Sequence, residues 1–584
     1  MRAITRHSTL SPCWIGGLAV AVASLALPVL RTATLSLPAA LILVGAVWVC
    51  LLPMVWHCQA PQRPPLPFLP LIGLFYLFFF VLPGFFFDPA FWLIGKGRDG
   101  GIRFERISET TALAVLLGSA ALVFSFGAVR RLAGRRIPAL RLPEGAAPAW
   151  LRLVVWWCLA AHLAYQYFLP IRCLPSVGQA LGPLGLFAYG YLFMQLVRGR
   201  LTTVEKILYI VVFIPAKIIF HLSEGLITPL VILVVLLFCL YIYLSRGYLK
   251  HSWRFALVLI GGIIVIYPFK GTINAYLMVV GNDHCGVGRA THWAGLAVQL
   301  RHAAPARPAQ PIADPPRTAP IISGTPARQN VGYEAFNRCP AEYVTPVDYC
   351  NKGLTFKDYC ELKRSHNQSP TICLSRNTAI VESFFLPILK RISHIAVLNQ
   401  IVEYTPNPVP YWNGVTLINL ITNMVPRFLW RDKPEERLGQ EFAHAYYIVQ
   451  PSDQNTSWNV PWLVEFYMNF GLLGTVISMA VAGIILSILA AIFNRAGMAD
   501  LEVAAGATII FPLFYQESNV SVMAGSLVLF IGFLLGFLYV ALRLGAVIWP
   551  QPIGSDAGGA PRDSRSRASA ATMASNRTDI GHTG

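Results

Sequence analysis

Arg427, Arg431 and Lys433 fall within seven residues, bracketed by Pro426 and Pro434, and Glu435, Glu436, Arg437, Glu441 and His444 follow closely. A guanidinium offers a planar fork of donors matched to phosphate oxygens, and several cations together neutralise a pyrophosphate. The two prolines restrict the backbone, which lowers the entropy lost in presenting the cluster. On charge alone the same residues also read as a solvated juxtamembrane loop that meets anionic headgroups without selectivity. About thirty residues on, Glu465 stands among Trp462, Phe466, Tyr467 and Phe470 at the start of an apolar run. A carboxylate so placed is suited to take a proton from a sugar hydroxyl, a contribution of roughly 10²–10⁴ in rate. Tyr467 and Asn469 are then placed to orient the sugar. The structural alternative is an acid that merely caps a helix and answers its dipole.

A second group is Lys217, His221 and Glu224, spaced four and three apart and therefore on one helix face. Ionisable residues inside an apolar span are rare and usually face the protein interior or a watery cavity, so the three together read as a functional stripe. Snorkelling explains a lysine alone. No histidines pair at metal-ligand spacing, and the glycine-rich run from Gly95 to Gly101 lacks the spacing of a phosphate loop.

The elements that must position these residues are membrane spans. Of 584 residues, 55% are hydrophobic and only 13% charged, whereas soluble domains sit nearer a quarter charged. A bilayer is crossed by about twenty apolar residues, and about twelve such stretches occur. They run over 15–30, 37–56, 67–87, 110–128, 150–170, 178–198, 204–222, 226–246, 253–269, 471–493, 502–517 and 521–546. The expected fold is an all-α polytopic membrane protein. Span one also has the form of a cleaved leader, with Arg2 and Arg6 before the apolar run, but the loop charges alternate correctly with it retained.

Loop charge sets the orientation. Arg130, Arg131, Arg135, Arg136 and Arg141 fall in one loop, Arg198, Arg200 and Lys206 in another, and Arg246, Lys250 and Arg254 in a third. The C-terminal tail adds Arg543, Arg562, Arg565 and Arg567. With these segments cytoplasmic, as the positive-inside rule requires, both termini are inside. The net charge of +18 therefore reads as a topology signal and not as a nucleic-acid surface. Six of the eleven cysteines, Cys173, Cys285, Cys339, Cys350, Cys360 and Cys373, fall on the outer side, enough for three disulfides of undetermined pairing. No C-x2-C pair supports a zinc site.

The chain divides into an N-terminal membrane domain (1–270, about nine spans), a large outer insertion between spans nine and ten (271–460), a C-terminal membrane domain (461–549, about three spans) and a polar tail (550–584). Within the insertion, 301–328 is Pro-, Ala- and Arg-rich linker, 329–376 a cysteine-bearing lobe, 377–430 a pair of interfacial helices, and 423–445 the basic motif. Phe384, Phe385, Ile388, Ile392, Ile395, Leu398 and Ile401 form the apolar stripe of the first such helix, with Lys390, Arg391 and Glu403 off it. The structural alternative is a helix of the soluble lobe.

Arg391-Ile-Ser-His-Ile-Ala, Gly414, Val425-Pro-Arg-Phe-Leu-Trp-Arg-Asp-Lys-Pro434 and Glu465-Phe-Tyr-Met-Asn-Phe-Gly471 together resemble the O-antigen polymerase family, the oligosaccharide repeat unit polymerases. The resemblance covers about 380–490. It implies a GT-C-like integral glycosyltransferase of the bacterial inner membrane, acting at the periplasmic face on undecaprenyl-diphosphate oligosaccharides as donor and acceptor, with no metal or cofactor. A chain-length regulator protein and membrane lipids are the implied partners, and nucleic acid is not. It assigns diphosphate binding to Arg427, Arg431, Lys433 and Arg391, and catalysis to Arg427 with Glu465 as base. Read from their types and placement, Arg437, His444, Tyr467, Asn469, Lys217, His221 and Glu224 are further candidate substrate contacts. The family's arginine near residue 224 is missing here. An O-antigen ligase shares spans, basic cluster and lipid donor. A transporter would instead place charges near the midplane of several helices.

Overall fold

The computed structural model describes residues 12–30, 35–85, 106–168, 177–245 and 392–549, apart from 61, 135, 224–227, 426–428, 431–436 and 450–455. Every regular element among them is helical. In chain order the longer ones are α1 (Pro12–Ser24), α2 (Leu37–Gln59), α3 (Phe68–Phe85, with a π turn at Leu77–Val81), α4 (Glu109–Leu132), α5 (Pro148–Tyr167) and α6 (Val177–Val197). Next come α7 (Ile214–Ser223), α8 (Thr228–Leu244), α9 (His394–Tyr404), α10 (Val415–Met424), α11 (Leu438–Ala445), α12 (Trp462–Phe493), α13 (Asp500–Ile510) and α14 (Val520–Ile548). Among the described residues six helices are long and apolar enough to cross a membrane: α2, α3, α4, the Ala180–Val197 part of α6, α12 and α14. Over its described residues the chain is an all-helical membrane protein.

Spans expected at 37–56, 67–87, 110–128, 178–198 and 521–546 coincide with long helices. The expected ninth span, 253–269, lies outside the described residues, as do the six cysteines expected on the outer side. The span expected over 471–493 coincides with the later part of α12, which an earlier helical part from Trp462 precedes. One C-terminal element differs from expectation. The span expected over 502–517 is an eleven-residue α-helix closed by a 3-10 turn, Phe511–Phe514. Pro512 accounts for the change, because its ring removes the donor an α-helix needs there.

Local chemistry starts the helices where they start. Ser36 and Ser108 accept hydrogen bonds from Ala39 and Thr111 backbone N–H at 3.3 and 3.1 Å, satisfying donors that no helical carbonyl reaches. In the middle, small residues set the spacing. Gly483 of α12 lies against Leu122 O and Ser125 of α4, and Gly506 of α13 against Phe493 O, so a methyl group at either would collide with backbone.

Loops sort onto two ends of the bundle. At one, Asn494 holds Leu66 through both its N–H and its carbonyl (2.9 and 2.8 Å). There Arg495 also donates to Gly134 O and Ile137 O, and Arg198 pairs with Asp500 at 2.6 Å. At the other, Leu35 bridges Ile107, and Asn399 of α9 accepts from Ser108 N–H and the Thr111 hydroxyl while donating to Arg106 O. The expected interfacial helix is described from His394 onward, and there it is buried on every face from His394 to Ile401. Its polar residues are inside because each finds a partner: Asn399 as above, and Gln400 through Tyr446 O at 2.7 Å.

Candidate functional site

Helix α12 breaks at Gly471, whose φ of 66° and ψ of −165° lie where a side chain is strained. A methyl there would also approach the Tyr411 hydroxyl to 2.8 Å. The break frees the carbonyls of Met468 and Asn469 from the helical ladder, and the N–H groups of Trp412 and Asn413 take them at 3.0 and 3.2 Å. The segment before α10 is thereby tied to the N-terminal half of α12.

Side chains lock the same junction. Glu465 and Asn469 stand one turn apart and both are fully buried. Glu465 Oε1 accepts from the Thr416 hydroxyl at 2.7 Å, and Oε2 accepts from Val520 N–H, the first residue of α14, also at 2.7 Å. Asn469 donates to Thr416 Oγ1 (2.9 Å) and Glu465 O (2.7 Å) and accepts from Gly414 N–H (2.8 Å). A single carboxylate therefore joins α10, α12 and the positive end of α14's dipole. Downstream, Asn423 reaches Ser521 O at 3.3 Å, so the chain leaves α10 beside that same helix N-terminus.

The outward face of this junction is apolar. Val415, Ile418 and Ile421 recur every third residue along α10 and are 59, 60 and 70% exposed. Leu429 and Trp430, between the first two residues of the basic cluster, are also exposed. Such a row on a short helix beside long apolar helices is the pattern of a surface lying in the bilayer boundary.

Of the residues singled out from sequence, Glu465, Tyr467 and Asn469 come together on the N-terminal half of α12. Arg437 is exposed at the start of α11, its carbonyl accepting from Gln440 and Glu441 N–H. His444 ends α11 half-buried, with Nε2 lacking a hydrogen-bond partner among the described residues. Arg391, Arg427, Arg431, Lys433 and Glu224 lie outside the described residues. Lys217 and His221 sit on α7. Lys217 Nζ donates to His162 Nε2 of α5 at 2.8 Å, leaving His162 Nδ1–H to donate to Leu181 O at 2.9 Å. The ammonium also lies 6.0 Å from the centre of the Tyr189 ring.

Sequence reasoning missed Thr416, Val520 and His162, whose partners lie 49 to 55 residues away. It also missed a second buried carboxylate, Glu517, between the 3-10 turn and α14. Asn459 donates to Glu517 Oε1 at 2.9 Å, and His394 Nε2 lies 4.0 Å from the same oxygen. Nearby, Tyr446 bonds Thr405 through its hydroxyl (2.9 Å), and burial pushes that phenol up to about 12, so it holds its proton at neutral pH. Among the described residues no three His, Cys, Asp or Glu side chains are grouped to hold a metal ion.

A model for a domain of unknown function (DUF8712) matches residues 360–532. That segment contains Thr416, Glu465, Asn469, His394, Glu517 and the start of α14, and leaves Lys217 and His162 outside. No curated protein and no solved structure matches the chain.

Proposed function

We propose that the protein is an integral membrane glycosyltransferase that joins undecaprenyl-diphosphate-linked oligosaccharide repeat units into O-antigen or exopolysaccharide. The observation that carries the reading is the Glu465 junction. It ties the segment leading into Arg427, Arg431 and Lys433 to the N-terminus of α14, on a face whose exposed side chains are apolar. A lipid diphosphate has the complementary form, an apolar tail in the bilayer and a doubly anionic headgroup at its edge. The leaving diphosphate gains negative charge as its bond to the sugar breaks, and preorganised cations and N–H groups stabilise that charge.

In this reading the fold is GT-C-like with about twelve spans, and the protein sits in the bacterial inner membrane with both termini cytoplasmic. Arg427, Arg431, Lys433 and Arg391 hold the diphosphate at the periplasmic face, with a chain-length regulator alongside. Glu465 acts as a positioning carboxylate, since both its oxygens accept hydrogen bonds from α10 and α14 in the interior.

The test is the glycan profile of cells lacking the chain. Loss of a polymerase leaves single repeat units on lipid, and Arg427→Ala/Arg431→Ala/Lys433→Ala should reproduce that profile with protein levels unchanged. Accumulation of long lipid-linked polymer instead would make the protein a ligase. An unaltered glycan profile would sink both.

A further inference from the structure

Glu517 and His394 lie at the same end of the bundle as the Glu465 junction, with no role in the network just described. His394 begins α9, and Glu517 follows the 3-10 turn that Pro512 imposes on α13. They approach to 4.0 Å across 123 residues of sequence, and both are buried. Three partly exposed side chains border them: Asn459, Phe79 and Tyr515. Asn459 reaches Glu517 in one hydrogen bond, so the carboxylate stands a single residue beneath the surface.

The wall beside the pair is aromatic. His394 stacks on Phe79 at 5.2 Å with 17° between the rings, and Phe80 and Phe75 lie at 5.7 and 6.4 Å. Three aromatics from one helix meet one ring because the π turn Leu77–Val81 adds a residue to its circuit. That brings the i+5 position, Phe80, onto the face shared by Phe75 and Phe79. Tyr515 closes the wall edge-on to Phe79 at 5.6 Å and 84°. Two buried N–H donors at the same junction, Trp462 Nε1 and Gln516 Nε2, have no acceptor among the described residues. Trp462 and Gln516 are themselves joined, backbone N–H to carbonyl, at 3.4 Å.

These groups are complementary to a saccharide. Its C–H faces pack on aromatic rings, its ring and hydroxyl oxygens accept hydrogen bonds, and its hydroxyls donate to carboxylates. We infer that His394, Glu517 and Asn459, under the Phe79–Tyr515 wall, form the site that holds the acceptor sugar and takes its proton. The inference rests on the polymerase reading for the reaction, though not for the binding. In the step, the acceptor hydroxyl gives its proton to the His394 imidazole as its oxygen bonds to the donor's anomeric carbon. The bond from that carbon to the diphosphate oxygen breaks, and its electron pair leaves with the lipid diphosphate. The Glu517 carboxylate stabilises the imidazolium that results, and Asn459 holds the carboxylate in place.

The experiment uses the full-length protein in detergent, with two probes from cells lacking it: their lipid-linked oligosaccharide, and the glycan released from that lipid. Glu517→Gln and His394→Gln should slow extension by about 10²–10⁴-fold with an unchanged thermal midpoint. Phe79→Leu, which stays apolar and loses the ring, should weaken binding of the released glycan at least about tenfold. Extension within twofold of wild type in both polar variants overturns the inference. A midpoint that falls in step with turnover also overturns it, since the pair would then be packing alone. Wild-type protein that binds the glycan but never extends the lipid-linked form would refute the polymerase reading and leave the saccharide site standing. Wild-type protein that binds no glycan refutes the site.

Discussion

The two ends of the helix bundle give their carboxylates different partners, exposed arginines at one (though Glu502 is itself buried) and buried neutral donors at the other. At the basic end Asp500 and Glu502 meet Arg198, Arg200 and Arg141 at 2.6, 3.7 and 3.5 Å, with the arginine side chains 36 to 73% exposed. Water screens such pairs, and each contributes little. At the other end Glu465 and Glu517 are 0 and 1% exposed, and the hydrogen bonds described above come from a hydroxyl, an amide and a helix N-terminus. A buried carboxylate is costly to bring inside and costlier to leave without its donors, so it stays where geometry depends on it. The first end fastens loops; the second sets the relative position of α9, α10, α12 and α14.

That contrast breaks first at Glu465. Glu465→Ala leaves the Thr416 hydroxyl and Val520 N–H buried without their acceptor, a loss of roughly 2–6 kcal/mol at about 1–3 per donor. The thermal midpoint in detergent should fall sharply and polymer growth should stop. Glu465→Gln should recover part of both, since its carbonyl still accepts from Val520 while its amide donates to Thr416. An unchanged midpoint in the alanine variant would mean the junction holds nothing together.

Gly471→Ala comes next, at about 1–3 kcal/mol for the strained backbone, with a steric conflict against Tyr411 added. Adding Tyr411→Ala should relieve the conflict but not the backbone, so the double variant should remain less stable than wild type. Full recovery would place the effect in the Tyr411 contact alone. The smallest change belongs to the other end. Asp500→Asn should shift stability by less than about 1 kcal/mol, less still at high salt, and leave chain length untouched. A shortened polymer from that variant would erase the distinction between the two ends.

Hydropathy made the long helices legible because every backbone polar group in a bilayer must bond within its own segment, so length and apolar run suffice to find them. Glu465 was legible as an unusual acid at an apolar helix start, but its role was not. Its partners come from Thr416 and Val520, and nothing in the intervening residues announces them. The expected span began at Gly471, but hydropathy carries no sign of a kink, which shows only in Trp412 and Asn413 bonding the freed carbonyls. The apolar stripe of α9 was read as interfacial, whereas partners on α4's cap, at Arg106 and at Tyr446 let its Asn399 and Gln400 turn inward. Glu517 gave no local signal, and His394 entered only as part of the Arg391-Ile-Ser-His-Ile-Ala run; nothing in the sequence showed that the two meet.

The residue types alone determined that this is a helical membrane protein whose sequence carries a cationic cluster late in the chain. Hydrophobicity and charge act on each segment separately, so they can be summed along a line. Which acid binds which donor, where α12 gives up its helix, and that a histidine and a glutamate meet beneath an aromatic wall were decided only by tertiary packing. Hydrogen bonds are directional and reach about 3 Å, so they exist only once distant segments have been brought side by side.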